Sequence, residues 1–338
     1  MNVLILGGTS LTGPFIVREL CDLGHQVVVF HRGQTEPELP PDVRHIHGEH
    51  QRLADFAGTL RDFAPEVVVD MVAEDNKDGS RTMDLFRGVS RRIVAISSGD
   101  VYRAYDVLWG RDIGDIQPTP LGEDSQLRSS RFPDKGTRDK ILVEHLVMSD
   151  PELPGTILRY PMVYGPNDGG RIIEELRRMD DGRPAILMDE AMAGWRGCWG
   201  YVENMAHAVL LAVTMDQAAG RVYNVADAEA PPMEQWVEEI GEVAGWNGRV
   251  VPLPRVRLPA HLTTAYNFHQ HWELDTTRIR EELGYADAVD RPEAMRRTVA
   301  WWRQAFDRGS FDASYAGDLP NETAYEAEDE ILRSLDRP

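Results

Sequence analysis

Three glycines and a helix start supply the first recognisable chemistry. In LILGGTSLTG (residues 4–13), Gly7 and Gly8 let the backbone turn tightly and approach a pyrophosphate, and Gly13 lets the next helix pack close to the sheet. Backbone N–H groups along Thr9, Ser10, Leu11 and Thr12, at a helix N-terminus, would face the phosphates. The spacing is Gly7-x-x-Ser10-x-x-Gly13, not the simplest G-x-G-x-x-G fingerprint. A second signal lies in VVVFHRGQ (27–34), at the end of the second strand-like run. An acid there would accept the ribose 2′-OH of NAD, whereas an Arg suits the 2′-phosphate of NADP. His31 stands at that place and Arg32 follows it, so NADP is favoured, with NAD as the alternative.

Other clusters carry less. HIHGEH (45–50) puts His45 and His47 on one face of a strand, but ligand pairs need partners from elsewhere and no further Cys or His motif offers them, so no metal is expected. FHQHW (268–272) is weaker still. NET (321–323) has the form of a glycosylation sequon, but no export signal is read at the N-terminus.

These groups need a scaffold. Short apolar runs at 2–6, 26–30, 43–47, 66–72 and 92–97 read as strands of a parallel sheet covered on both faces. Helical spacing occupies about 12–23, 51–63, 78–88 and 136–149 between and after them. Two more strands are read at 155–160 and 221–226, with helices at 171–179, 202–215, 232–244 and 291–306. The pattern predicts an α/β fold: a doubly wound parallel sheet of Rossmann type with a smaller C-terminal substrate domain. The dinucleotide domain takes residues 1–166 plus about 201–227. The substrate domain takes about 167–200 and 228–311, and 312–338 is read as an acidic, solvated tail.

Composition narrows the partners. A net charge of −20 opposes nonspecific nucleic-acid binding, which needs cations to displace phosphate counterions. No apolar run approaches the roughly 18–20 residues that span a bilayer. Two cysteines, Cys21 and Cys198, make no disulfide framework and point to a cytoplasmic location. The expected partner is a small-molecule substrate, with neither nucleic acid nor membrane, and a homodimer is compatible with the chain.

Several segments together resemble the extended short-chain dehydrogenase/reductase superfamily, in its NAD-dependent epimerase/dehydratase branch. LILGGTSLTG resembles the nucleotide loop, with Ser10 in place of the usual middle glycine. VAISSGDVY (94–102) resembles the strand that carries the catalytic Ser or Thr, and Ser98 matches that position. LRYPMVYGP (158–166) resembles the segment that packs on the nicotinamide, which implies cofactor contacts from Tyr160, Pro161, Met162 and Val163. GYVENMAHAVLLAV (200–213) and GRVYNVADAEAPPMEQW (220–236) resemble later signatures of the family. The resemblance also implies cofactor contacts at Val72, Ala73 and Ser97, with Glu49 near the adenine. Ser10 and the FHRG strand end resemble most an atypical subgroup that includes chloroplast stem-loop-binding proteins, which kept the fold and took up RNA binding.

In that superfamily a Tyr phenolate exchanges a proton with the substrate, and a Lys one helical turn later lowers its pKa and holds the nicotinamide ribose. Lysine occurs here only at 77, 135 and 140, and the residues four places earlier are Ala73, Arg131 and Gly136. No Tyr-x-x-x-Lys exists. Lys140 is the best match for the ribose-holding Lys, because KILVEHLVM continues as an amphipathic helix. Two readings follow. In one, another group transfers the proton: Tyr102 first, four residues after Ser98, then Tyr105 or Asp100, and Tyr102→Phe should then cut turnover ~10²–10⁴-fold. In the other, the protein is a noncatalytic nicotinamide-nucleotide-binding regulator or an RNA binder on the same fold. Arg196, in GWRGCWG, lies where relatives often bind a substrate phosphate, and Asp100 is a second candidate for substrate contact. The enzyme reading is an epimerase/dehydratase-type oxidoreductase acting on a sugar nucleotide or related polar metabolite.

Overall fold

The computed structural model describes residues 1–129, 139–309 and 319–335. Its first half runs β1 (Asn2–Leu6), α1 (Gly13–Asp22), β2 (Gln26–His31), β3 (Arg44–His47), α2 (Ala57–Asp62), β4 (Val67–Asp70), α3 (Asn76–Phe86) and β5 (Arg92–Ser98). There follow α4 (Arg103–Leu108), α5 (Lys140–Ser149), β6 (Gly155–Tyr160), β7 (Met162–Tyr164), α6 (Ile173–Asp180), β8 (Ala185–Asp189), α7 (Glu190–Ala193) and β9 (Trp199–Tyr201). The chain continues through α8 (Val202–Thr214), β10 (Arg221–Asn224), α9 (Met233–Ala244), β11 (Arg249–Leu253), α10 (Thr277–Leu283), α11 (Arg291–Arg308) and α12 (Glu322–Leu335).

Seven strands form one parallel sheet in the order β10-β6-β5-β4-β1-β2-β3. The pleat explains why β1, β2 and β4 are apolar on both faces. Val3, Ile5, Val27, Val29, Val67 and Val69 join the core on one face, with α1 and α8. Leu4, Leu6, Val28, Phe30 and Val68 join the core on the other, with α3 and α5. The order reverses at β1 and β4, so their C-terminal ends open a crevice, the place where open α/β sheets bind ligands.

After β6 the chain adds two small parallel pairs, β7 with β9 and β8 with β11. The expected helix at 51–63 is divided into a 3₁₀ segment at His50–Phe56, itself kinked at Arg52, and α2, with Phe56 at the boundary out of helical geometry. The helix expected from residue 136 is seen from Lys140, with the Asp139 side chain capping the Ile141 N–H; residues 136–138 lie outside the described residues.

The acidic C-terminus is not wholly solvated as expected. Residues 322–335 form α12, whose Ile331, Leu332 and Leu335 pack on Leu187, Leu253 and Leu258. Its Glu328 is buried against Arg178 at 2.8 Å and His261 at 3.0 Å. An acid-rich segment can dock when a buried cation waits for it. No helix among the described residues is long and apolar enough to cross a membrane.

Candidate functional site

The cradle between β1 and α1 is built by close backbone approach. Gly7 and Gly8 take φ of +94° and +81°, a region that disfavours side chains. A Cβ on Gly7 would lie 2.7 Å from Val72 Cγ1 at the end of β4. A Cβ on Gly13 would lie 2.4 Å from the Gly8 carbonyl carbon, so the turn and the helix start touch through glycine alone. Ser10, in place of the usual glycine, is outside the left-handed region; the left-handed residue is its neighbour Leu11, at φ +50°. Thr9 is half-buried, Ser10 is exposed, and Thr12 is buried at the N-cap of α1.

The end of β4 is held open beside this turn. Asp70 Oδ1 accepts hydrogen bonds from the Val72 and Ala73 N–H groups, and Oδ2 accepts one from the Thr82 hydroxyl at 2.6 Å. Asp70 was not singled out in the sequence. An acid closing the apolar run VVVD was the available signal.

Lys140 opens α5. Its ammonium donates to the Ala73 carbonyl at 2.7 Å and the Ile96 carbonyl at 3.1 Å, so it bridges the C-terminal ends of β4 and β5. Two donors are used and a lysine has three. Ser98 ends β5, and its hydroxyl oxygen caps the following 3₁₀ turn by accepting the Asp100 N–H. Asp100 and Tyr105 are both half-buried, and Tyr105 packs against Trp272 with centroids 4.9 Å apart. Burial, with the Asp100 charge, raises the Tyr105 phenol above its ordinary range. Gly136, one turn before Lys140 in the sequence, lies outside the described residues.

Tyr102 is not placed for acid/base work. It is fully buried, its hydroxyl donates to Asn224 Oδ1 at 2.6 Å, and it accepts from Arg159 at 2.8 Å. Burial pushes its phenol up to about 12, outweighing the Arg159 charge that lowers it. The short turn after Ser98 directs this ring into the core instead of the crevice. Ser97 is also committed inward, donating to Glu144 at 2.5 Å. Tyr160, expected against the nicotinamide, is buried with its hydroxyl on the Met205 carbonyl, and Val163 is core. Pro161 and Met162 remain half-buried.

Arg196 donates to the Ala230 carbonyl at 2.5 Å and is half-buried, tying together the segments before β9 and before α9. At the other end of the crevice Arg32 and Glu49 are exposed beyond β2 and β3. His31 is buried, and burial lowers its pKa. The fold brings His31 and Glu36 to His45 and His47, supplying neighbours that the segment lacked in the sequence.

A parallel sheet with a glycine phosphate cradle, and a lysine and serine at its strand ends, defines the dinucleotide-binding class of α/β folds. Residues 3–226 match the NAD dependent epimerase/dehydratase family, and the chain belongs to that family. The y4nL protein of Sinorhizobium fredii is 28% identical over 190 residues, 48% of this chain and 52% of that protein. The chain thus spans about half the length of that relative. The chloroplast stem-loop binding protein of 41 kDa b of Arabidopsis thaliana is 22% identical over 92% of this chain and 80% of its own. The crystal structure of Thermus thermophilus UDP-glucose 4-epimerase, a complex with NAD, superposes with a TM-score of 0.67 at 22% identity, covering 90% of this chain and all of that one.

Proposed function

We propose that the chain is an NADP-preferring oxidoreductase of the epimerase/dehydratase type, acting in the cytoplasm on a sugar nucleotide or related polar metabolite. The observation that carries this reading is the position of Lys140 between the β4 and β5 ends, beside the cradle and two residues of strand from Ser98. The third ammonium hydrogen of Lys140 holds the nicotinamide ribose. Ser98 orients the substrate oxygen. Bound NADP supplies a hydride acceptor. Asp100 takes the substrate hydroxyl proton, since Tyr102 is sealed in the core and burial keeps the Tyr105 phenol protonated. Arg32, exposed at the β2 end, meets the 2′-phosphate, and Arg196 faces the substrate's anionic portion. The sugar-nucleotide class draws support from the Thermus neighbour. A homodimer belongs to the same reading and is checked by light scattering.

The absent Tyr at position 136 favours a second reading, a nucleotide-binding regulator without turnover. Two measurements separate them. Calorimetric titration should show tighter NADP(H) than NAD(H) binding by about 1.5–3 kcal/mol, the worth of a charge-assisted contact. A panel of sugar nucleotides should change the absorbance of bound NADP(H). Equal affinities remove the Arg32 assignment. Inactivity across the panel, with NADP retained through purification, selects the regulator.

A further inference from the structure

We propose that His31, His45, His47 and Glu36 form a binding site for a divalent transition-metal ion of the zinc class. The sheet register creates it. β2 and β3 run parallel with His31 opposite His47, and His45 lies two residues back on the same face of β3. Glu36 comes from the loop that leaves β2. One ligand atom from each of the four residues lies within 4.8 Å of the others.

Three of the ligand-pair distances lie near those around a tetrahedral ion, two of them to different oxygens of the Glu36 carboxylate. Metal–nitrogen bonds of ~2.0–2.1 Å place tetrahedral ligand atoms about 3.4 Å apart. Here His31 Nε2 and His45 Nδ1 are 2.9 Å apart, His47 Nε2 and Glu36 Oε1 2.9 Å, and His45 Nδ1 and Glu36 Oε2 3.7 Å. Shifts of several tenths of an ångström bring these pairs to that spacing. The His31 and His45 rings share one hydrogen bond, so one ring nitrogen donates and the other accepts with its single lone pair, and a bound ion takes the place of the shared proton.

Ligand type sets the metal. Three imidazoles and one carboxylate suit zinc, cobalt, nickel or copper, whereas magnesium and calcium favour oxygen-only shells. Four protein ligands make a closed site, which is the structural kind. A metal there pins the 32–36 loop, and Arg32 with it, across the ends of β2 and β3. The ring tautomers give a specific signature. The Gly33 N–H donates to His31 Nδ1, so His31 carries its proton on Nε2. Coordination through Nε2 moves that proton to Nδ1 and opens the Gly33 contact.

The test uses the untagged full chain, stripped with chelator and free of nucleotide, so that its outcome is independent of the NADP reading. Titration with Zn²⁺ should show one saturable equivalent, and Co²⁺ should give the intense visible bands of tetrahedral coordination. The Gly33 amide resonance should shift on saturation with Zn²⁺. His47→Ala and Glu36→Gln change half-exposed side chains, 57% and 53% exposed, and should each weaken binding at least about tenfold. His31→Ala should do the same, but its burial exposes it to misfolding, so the two surface variants carry the test. No saturable Zn²⁺ binding, affinity unchanged in both surface variants, or equal binding of Mg²⁺ or Ca²⁺ would overturn the site.

Discussion

Arg159 and Glu144 meet through two hydrogen bonds, Nε to Oε1 at 3.0 Å and Nη2 to Oε2 at 2.7 Å, with side chains only 4% and 5% exposed. The pair ties β6 to α5 directly beneath the crevice. Arg159 spends a further donor on the Tyr102 hydroxyl and the Glu123 carbonyl, and Ser97 donates to Glu144. Arg159 is held above its ordinary range by Glu144, against the cost of its own burial. This network positions α5, and with it Lys140, by fixing the helix to the sheet.

Removing one partner of such a pair strands the other charge. Glu144→Ala should therefore destabilise the fold by about 3–5 kcal/mol, read by urea denaturation. Tyr102→Phe removes one hydroxyl from the same network and should cost about 1–2 kcal/mol, leaving cofactor affinity and turnover intact. A turnover loss of ~10²-fold or more with unchanged stability would return Tyr102 to the mechanism.

Lys140→Ala should weaken NADP(H) binding at least about tenfold, since it removes a direct ribose donor worth more than about 1.4 kcal/mol. Stability should also fall, by about 1–3 kcal/mol, because Ala73 and Ile96 are buried and their carbonyls lose a donor. Unchanged affinity in a folded variant places the nicotinamide elsewhere.

Gly13→Ala tests the cradle by sterics alone. The added methyl would lie 2.4–2.6 Å from Gly8 backbone atoms, and backbone cannot rotate away as a side chain can. Cofactor titration should show a loss of at least about tenfold, the expected price of moving the turn off the phosphates by a few tenths of an ångström. Retained affinity would mean that the phosphates do not sit at this helix start.

The sheet was legible because every core strand is apolar on both faces, as in NVLIL and QVVVF. The tight turn between β1 and α1 was legible because its requirement is a residue type, glycine, at fixed spacing. The burial of Tyr102 was not legible because sequence distance from Ser98 carries no direction: the ring follows the 3₁₀ turn at Gly99–Val101 and is buried. A buried Arg in LRY and a Glu in LVEHL were signals of a charge pair, yet fifteen residues and a change of element separate them. Glu328 could not be told from its solvated neighbours, since its partner Arg178 lies 150 residues away. β7 and β9, three residues each, are too short to show periodicity. The histidine cluster needed the β2–β3 register, which places His31 against His47.

Asp227 offers a test of burial with a definite sign. It is 8% exposed, Oδ1 accepts from the Tyr201 N–H at 3.1 Å and from Asn204 at 3.2 Å, and the Tyr164 hydroxyl lies close by. Burial raises its carboxyl to about 6, and the Asp287 charge adds to the rise, against hydrogen bonds that lower it. The folded carboxyl therefore keeps a proton that the unfolded one loses near its ordinary value of 3.8. Stability is fully present below about pH 4, falls as pH rises towards about 6, and stays lower above that. Asp227→Asn keeps the Oδ1 acceptor, offers an amide towards Tyr164 and carries no charge to desolvate. It should stabilise the fold by about 1–3 kcal/mol at pH ~7.5 and by nearly nothing at pH ~4. Urea denaturation at the two pH values measures both differences. If they are equal, the carboxylate is not penalised by burial, and its charge is being balanced within the fold.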